Sequence, residues 1–219
     1  MNFPLSPFPR NAVFHPHDLL WVRSPEAFHL FLPGWATGSW PVVVRRAETN
    51  RPGLVAVGLR GRTRSERQAN LVAAADVVRS VTPEALARHV ADICSVETLA
   101  PLVALRTLAP WLDDLGLPWG PAGSAGFTLA TGKCMLGAES DLDLVVRAIR
   151  TPSEAQIEGL RALQGRVACR LDVQIDTGRG GFALNEWLAG PRQVLLKTAR
   201  GPVLVRDPWQ LVDAQGVAA

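Results

Sequence analysis

Two aspartates at i and i+2, Asp141 and Asp143, stand at the entry to an apolar run, Leu142-Asp143-Leu144-Val145-Val146. In an extended strand alternate side chains share a face, so both carboxylates point the same way. Like charges held together call for a cation between them, and oxygen-only ligands at a site for phosphorylated substrate favour Mg2+ over softer metals. Taken alone, Ser140-Asp141 reads better as a solvated turn before a strand. Two further features change the balance. Upstream, Gly120-Pro121-Ala122-Gly123-Ser124 forms a glycine-rich turn ahead of a short helix expected over 125–131. Gly123 and Ser124 would there offer backbone N–H groups and a hydroxyl to phosphate oxygens. Downstream, Asp172 interrupts an apolar strand, Ala168 to Ile175, where a buried carboxylate requires a partner. Asp141, Asp143 and Asp172 together suit phosphoryl or nucleotidyl transfer, which is catalysed chiefly by positioning and charge neutralisation. Lys197, at the end of another apolar strand, is either a phosphate contact or a solvated strand end.

These residues need a scaffold of alternating helices and strands. The sequence predicts a helix from Leu99 to Leu115, kinked or interrupted at Pro110, and a strand over Leu142–Val146. Thr151-Pro152-Ser153-Glu154 has capping-box spacing and opens a helix to about Leu163. A strand over 168–175, a turn at Gly178-Arg179-Gly180-Gly181, a short segment around Trp187 and strands over 193–197 and 202–205 complete this half. The first half reads as β-rich: runs at 41–46 and 54–60 form a hairpin around a turn at 48–53. Glu66 to Ser80 is expected to be helical, and Thr82-Pro83-Glu84 to cap a helix reaching Ile93. The fold class is therefore α+β. A small β-containing amino-terminal domain, 1–90, precedes a mixed-sheet domain with flanking helices, 91–219, and the boundary falls between Ser80 and Thr98.

The bulk numbers narrow the function. A 219-residue chain that is 47% hydrophobic can bury a real core, and 23 basic against 20 acidic residues give only +3, which argues against a dedicated nucleic-acid binder. Three dispersed cysteines, Cys94, Cys134 and Cys169, without metal-ligand spacing indicate a reducing compartment. With no secretory leader or membrane-length apolar run, the expected location is the cytoplasm. His15, His17, His29 and His89 read as loop or packing residues, and tryptophans such as Trp21, Trp40 and Trp187 as core, with adenine stacking as the alternative. Arg45, Arg46, Arg60, Arg62 and Arg64 cluster on and after the hairpin, as either a solvated rim or a docking patch for an acidic carrier protein or a CoA-derived group.

Gly-Ser, then Asp-x-Asp on a strand, then one acid on a following strand is the pattern of the nucleotidyltransferase superfamily. Within it, Gly123-Ser124-Ala125-Gly126-Phe127, Ala130-Thr131-Gly132, Ser140-Asp141-Leu142-Asp143-Leu144, Leu171-Asp172-Val173-Gln174 and Asn185-Glu186-Trp187 resemble the phosphoribosyl-dephospho-CoA transferases of malonate decarboxylase, also called its holo-acyl-carrier-protein synthases. His17-Asp18-Leu19-Leu20-Trp21, Val43-Val44-Arg45-Arg46 and Val57-Gly58-Leu59-Arg60-Gly61 are similar to that family's amino-terminal region. In one departure, more residues separate Ser124 from Asp141 than in most nucleotidyltransferases. The resemblance implies transfer of a phosphoribosyl-dephospho-CoA group from its triphosphate donor to a serine of the acyl-carrier subunit, with release of pyrophosphate. It further implies Mg2+ held by Asp141, Asp143 and Asp172, while the charge and hydropathy already described argue against a nucleic-acid or membrane partner. The alternatives are a nucleotidyltransferase using an NTP with a small-molecule, RNA or protein acceptor, and a non-catalytic binding protein with a degenerate nucleotidyltransferase fold.

Overall fold

The computed structural model describes residues 13–63, 65–93, 98–137 and 139–210; Arg64 and Cys94 lie outside the described residues. Chain contacts divide it into two units, one comprising 1–82 with 130–133, the other 83–129 with 134–219.

The first unit is a five-stranded antiparallel sheet in the order β4-β3-β2-β1-β5, with β1 Leu19–Val22, β2 Val42–Val44, β3 Leu54–Arg60, β4 Arg67–Ala73 and β5 Val77–Val81. The expected hairpin is β2 and β3. The expected helix over 66–80 does not form, and two strands joined by a 3-10 turn occupy its place. Helix-forming composition is overridden because β3 offers β4 seven consecutive partners, from Leu54↔Ala73 to Arg60↔Arg67. Asn70, buried in β4, also holds a loop through its side chain: Oδ1 accepts from the Leu30 N–H, and Nδ2 donates to the Leu30 and Phe31 carbonyls. Leu20, Val57 and Val72, all buried, anchor the core of this unit.

The second unit is a six-stranded mixed sheet in the order β11-β10-β9-β8-β7-β6. Its strands are β6 Trp119–Pro121, β7 Leu142–Arg147, β8 Leu171–Asp176, β9 Gly180–Ala183, β10 Val194–Thr198 and β11 Gly201–Val205. The helices are α1 Pro83–Ala87, α2 Ala100–Asp114, α3 Gly123–Thr131, α4 Glu154–Ala162 and α5 Leu184–Leu188. Only β7 and β8 run parallel, joined through α4, the crossover that parallel neighbours require. Their buried residues Leu142, Leu144, Val146, Leu171, Val173 and Ile175 face Leu105, Leu108 and Leu112 of α2 and Leu160 of α4 in one core. Each fully buried leucine contributes about 1.5–3 kcal/mol through area removed from water.

Several boundaries differ from expectation for local reasons. The presumed glycine-rich turn contains a strand: Trp119, Gly120 and Pro121 pair with Val146, Val145 and Leu144. Gly120 is required there, because a β-carbon would collide with the Pro83 carbonyl. Helix α3 therefore begins at Gly123 and not at Ala125. The cap of α4 lies two residues later than expected: the Ser153 hydroxyl accepts from Gln156 N–H, while Gln156 Oε1 accepts from Ser153 N–H. Pro110 does not end α2, which continues to Asp114. The helix beginning at Pro83 stops at Ala87, with a 3-10 turn following at Val90–Asp92. Glu84, expected merely as an acid in a first helical turn, ion-pairs with Arg147 Nε at 2.6 Å.

Arg147 also reaches Asp176, paired opposite it on β8, through Nη1 at 2.8 Å; the Asp176 side chain is only 4% exposed. Removing one member of a buried charged cluster strands the others. Arg147→Ala is accordingly expected to lower unfolding free energy by about 3–5 kcal/mol, measured by urea titration. A loss below about 1 kcal/mol, the range of exposed pairs, would show that Asp176 is solvated.

Candidate active site

The strand pair β7–β8 assembles the acidic face. Parallel pairing is in register over six residues, so Asp143 lies directly opposite Asp172, as Leu142 lies opposite Leu171. Adjacent strands are about 4.8 Å apart, and paired residues project to the same side. Because the intervening apolar residues face the core, Asp143 and Asp172 project from the other side, and Asp141 stands two residues ahead of Asp143.

Asp172 itself corrects one premise. It is exposed, not buried, so desolvation does not demand a partner for it. Register with Asp143 is what gives it a place beside the other acids.

The Gly-Ser element meets this face through β6. Ala122 N–H donates to the Asp143 carbonyl at 2.9 Å, which fixes the start of α3 against β7. Gly123 then adopts φ +53°, and a β-carbon there would overlap Asp143 Oδ2. The glycine has two physical reasons: a left-handed backbone, and space taken by the carboxylate. The first turn of α3 thus begins beside Asp143, where the positive end of the helix dipole favours negative charge. Gly123 is exposed and Ser124 half-buried, so both are open to a ligand from solvent. The long Ser124–Asp141 separation is taken up by the rest of α3 and by residues 132–140, within which Met135 N–H donates to Thr128 Oγ1.

Cys169, just before β8, is half-buried, and its thiol is pushed above its ordinary pKa by burial and further by the negative charge of Asp141. The thiol therefore favours its neutral form and adds no fourth negative charge beside Asp141, Asp143 and Asp172.

Lys197 is not brought to the acids. It stands opposite Gly181, which stands opposite Asp176, four residues beyond Asp172. That spacing is about 13 Å along the strands and about 10 Å across them. The arginines belong to the first unit, where Arg45 follows β2 with its side chain over Gly58, Arg46 comes next, Arg60 faces Arg67 across β3–β4, and Arg62 lies in the turn beside Glu66. The histidines do not gather, and His89 pairs with Asp92 at 3.0 Å. Trp40 and Trp119 are buried, Trp187 joins Phe182 and Trp209 in an aromatic cluster, and Trp21 lies under the Arg79 guanidinium at 4.0 Å.

Among the described residues, no three His, Cys, Asp or Glu side chains form a ready-made metal cage. The donor set still fits one cation type. Mg2+ commonly takes only one or two protein carboxylates and completes its shell with water and substrate phosphate, which matches an open, oxygen-only pair such as Asp143 and Asp172.

Comparison with known proteins follows the same residues. A profile of the carboxy-terminal domain of phosphoribosyl-dephospho-CoA transferase MdcG matches residues 85–208, and one of its amino-terminal domain matches residues 15–83. The chain belongs to the phosphoribosyl-dephospho-CoA transferase family. A Pseudomonas putida protein bearing that name is 45% identical over 202 residues, covering 90% of this chain and 96% of its own. Those of Pseudomonas aeruginosa and Azotobacter vinelandii are 38% and 42% identical, over 94% and 91% of this chain and 99% and 96% of theirs. No solved structure matches. The protein is an enzyme, a transferase. Among the described residues, no helix is long and apolar enough to cross a membrane.

Sequence reading missed Arg147 and Asp176, although a signal was present: each lies four residues after an acidic-face aspartate, at matching strand parity. Gly123→Ala tests the coupling between α3 and the acids. The left-handed backbone alone costs about 1–2 kcal/mol. Displacing Asp143 by about 1 Å is expected to reduce transferase turnover by about 100-fold. Melting and steady-state assays separate the two effects, and turnover within threefold of wild type would refute the coupling.

Proposed function

We propose that the enzyme transfers the 2'-(5''-phosphoribosyl)-3'-dephospho-CoA group from its triphosphate donor to a serine of the malonate decarboxylase acyl-carrier subunit. The observation that carries this reading is the in-register pair Asp143↔Asp172 beside the glycine-opened start of α3, within a chain of this transferase family. The serine oxygen attacks the α-phosphorus, a phosphodiester bond forms, the bond to the β-phosphate oxygen breaks, and pyrophosphate departs. Gly123 and Ser124 hold the leaving phosphates at the helix N-terminus, where dipole and N–H groups favour anions. Asp172, exposed and opposite Asp143, is available to take the serine proton. Mg2+ would be held by Asp143 and Asp172, with Asp141 two residues ahead of Asp143 able to join them, and would supply charge neutralisation for the transfer. The protein would act in the cytoplasm, where the carrier subunit is modified.

Asp141→Asn and Asp143→Asn keep side-chain size but remove the charge, so the loss falls on the transition state and not on packing. Both variants are expected to fold normally by circular dichroism and to show no transfer by mass spectrometry of the carrier subunit. Ser124→Ala deletes one contact to a charged group, costing about 1.5–3 kcal/mol. By the usual conversion that is roughly a ten- to hundred-fold loss of rate. Near wild-type turnover of folded Asp143→Asn would refute the metal assignment, and transfer from ATP in place of the CoA-derived donor would refute the donor.

A further inference from the structure

The acidic face of the second sheet continues beyond the carboxylates. Register carries it across: Asp172 and Asp176 share a face of β8, and Asp176 pairs with Gly181, Gly181 with Lys197 and Lys197 with Pro202. Leu195 and Leu204, two residues from Lys197 and Pro202, project on the same side and lie directly opposite each other on β10 and β11. The alternate residues Val194, Leu196 and Val205 are buried in the core, which fixes the outward set. Leu195 is 37% exposed and Leu204 55%, a solvent-facing cross-strand leucine pair flanked by exposed Lys197 and Arg206.

Within the hairpin, Val194 to Val205, both charged residues, Lys197 and Arg200, are basic, while Glu186 and Asp207 add two acids beside it. Lys197, Arg200 and Arg206 lie on or beside it. The neighbouring acids are engaged locally: Glu186 Oε1 accepts from Leu195 N–H at 3.1 Å, and Asp207 Oδ1 from Trp209 N–H at 2.9 Å. An apolar centre with a charged rim has the composition of a protein contact. The surface also begins where chemistry would occur. β10 is two strands from β8, about 10 Å, and Leu195 stands two residues nearer the row of Asp172 than Lys197 does.

We propose that the outward face of β10–β11, centred on Leu195 and Leu204 and rimmed by Lys197 and Arg206, docks the acceptor protein through an acidic surface with an apolar centre. This rests on the protein-acceptor reading above and adds where the acceptor sits. Docking here presents the acceptor hydroxyl to Asp143 and Asp172 along the sheet face, while the donor phosphates enter from α3. Lys197 then acts in partner recognition, which accounts for its distance from the carboxylates.

The test uses the full-length enzyme and the purified apo acyl-carrier subunit, with the variants Leu204→Asp, Arg206→Glu and, as conservative control, Leu204→Met. Acceptor binding is measured by calorimetry, and KM is measured separately for acceptor and donor. Leu204→Asp is expected to raise acceptor KM and Kd at least tenfold, Arg206→Glu several-fold with a flatter salt dependence, and Leu204→Met little. Donor KM and melting temperature should stay at wild-type values throughout. If wild type transfers the group but both disruptive variants keep wild-type acceptor KM and Kd, the docking face is refuted and the reaction stands. A rise in donor KM instead would assign the face to the donor and equally refute it. If wild type binds the acceptor in a Leu204-dependent way yet transfers nothing, the docking face stands and the reaction falls; if it neither binds nor transfers, both fall.

Discussion

Parallel pairing of Leu142–Arg147 with Leu171–Asp176 sets nearly everything else in the second unit. With six residues in register, every alternate position of one strand is matched by its counterpart on the other. Three aliphatic rows pack into the core, while the opposite side carries Asp143 beside Asp172 and, four residues on, Arg147 beside Asp176. A one-residue slip of either strand would turn its two charged side chains toward the core and its three aliphatic ones away from it. The hydrophobic term that stabilises the sheet is thus the same term that brings two repelling carboxylates together. Folding free energy, gained over the whole core, holds a local arrangement that electrostatics alone would disperse.

The two ends of this strand pair contrast physically. At the carboxyl ends, Arg147 bridges Glu84 and Asp176, and the charges are satisfied internally. At the amino ends, Asp143 and Asp172 carry like charge in a more open setting, beside the first turn of α3. One end is completed by the chain's own arginine; the other has the character of a site completed by ligands. Such asymmetry suits a transferase, whose site must bind and release its ligands.

Much of this was legible because it rests on local pattern. Alternation identified β7, β8, β10 and β11, and the placement of Asp141, Asp143 and Asp172 at defined strand positions followed directly. What escaped prediction depends on partners distant in sequence. Residues 66–80 have helical composition but go into β4 and β5 because β3 and β1 supply ladders for them. Trp119-Gly120-Pro121 reads as a turn until β7 pairs with it. The apolar strand around Asp172 suggested burial, whereas exposure at that position is decided by what covers the sheet, which strand periodicity does not encode. Lys197 looked near the phosphates only while the order of strands was unknown.

One margin of the six-stranded sheet, β6, is buried along its length, and the other, β11, contains a proline, Pro202. A proline withholds the backbone donor that a visiting strand would need, and edge prolines are a common barrier to uncontrolled sheet extension. For a protein that exposes a leucine pair on the adjoining surface, this matters during crowded, concentrated expression. Association through side chains remains reversible and selective, whereas association through backbone would add strands without regard to sequence. Pro202 thus leaves the side chains of this hairpin available for contact while denying its backbone to uncontrolled sheet growth.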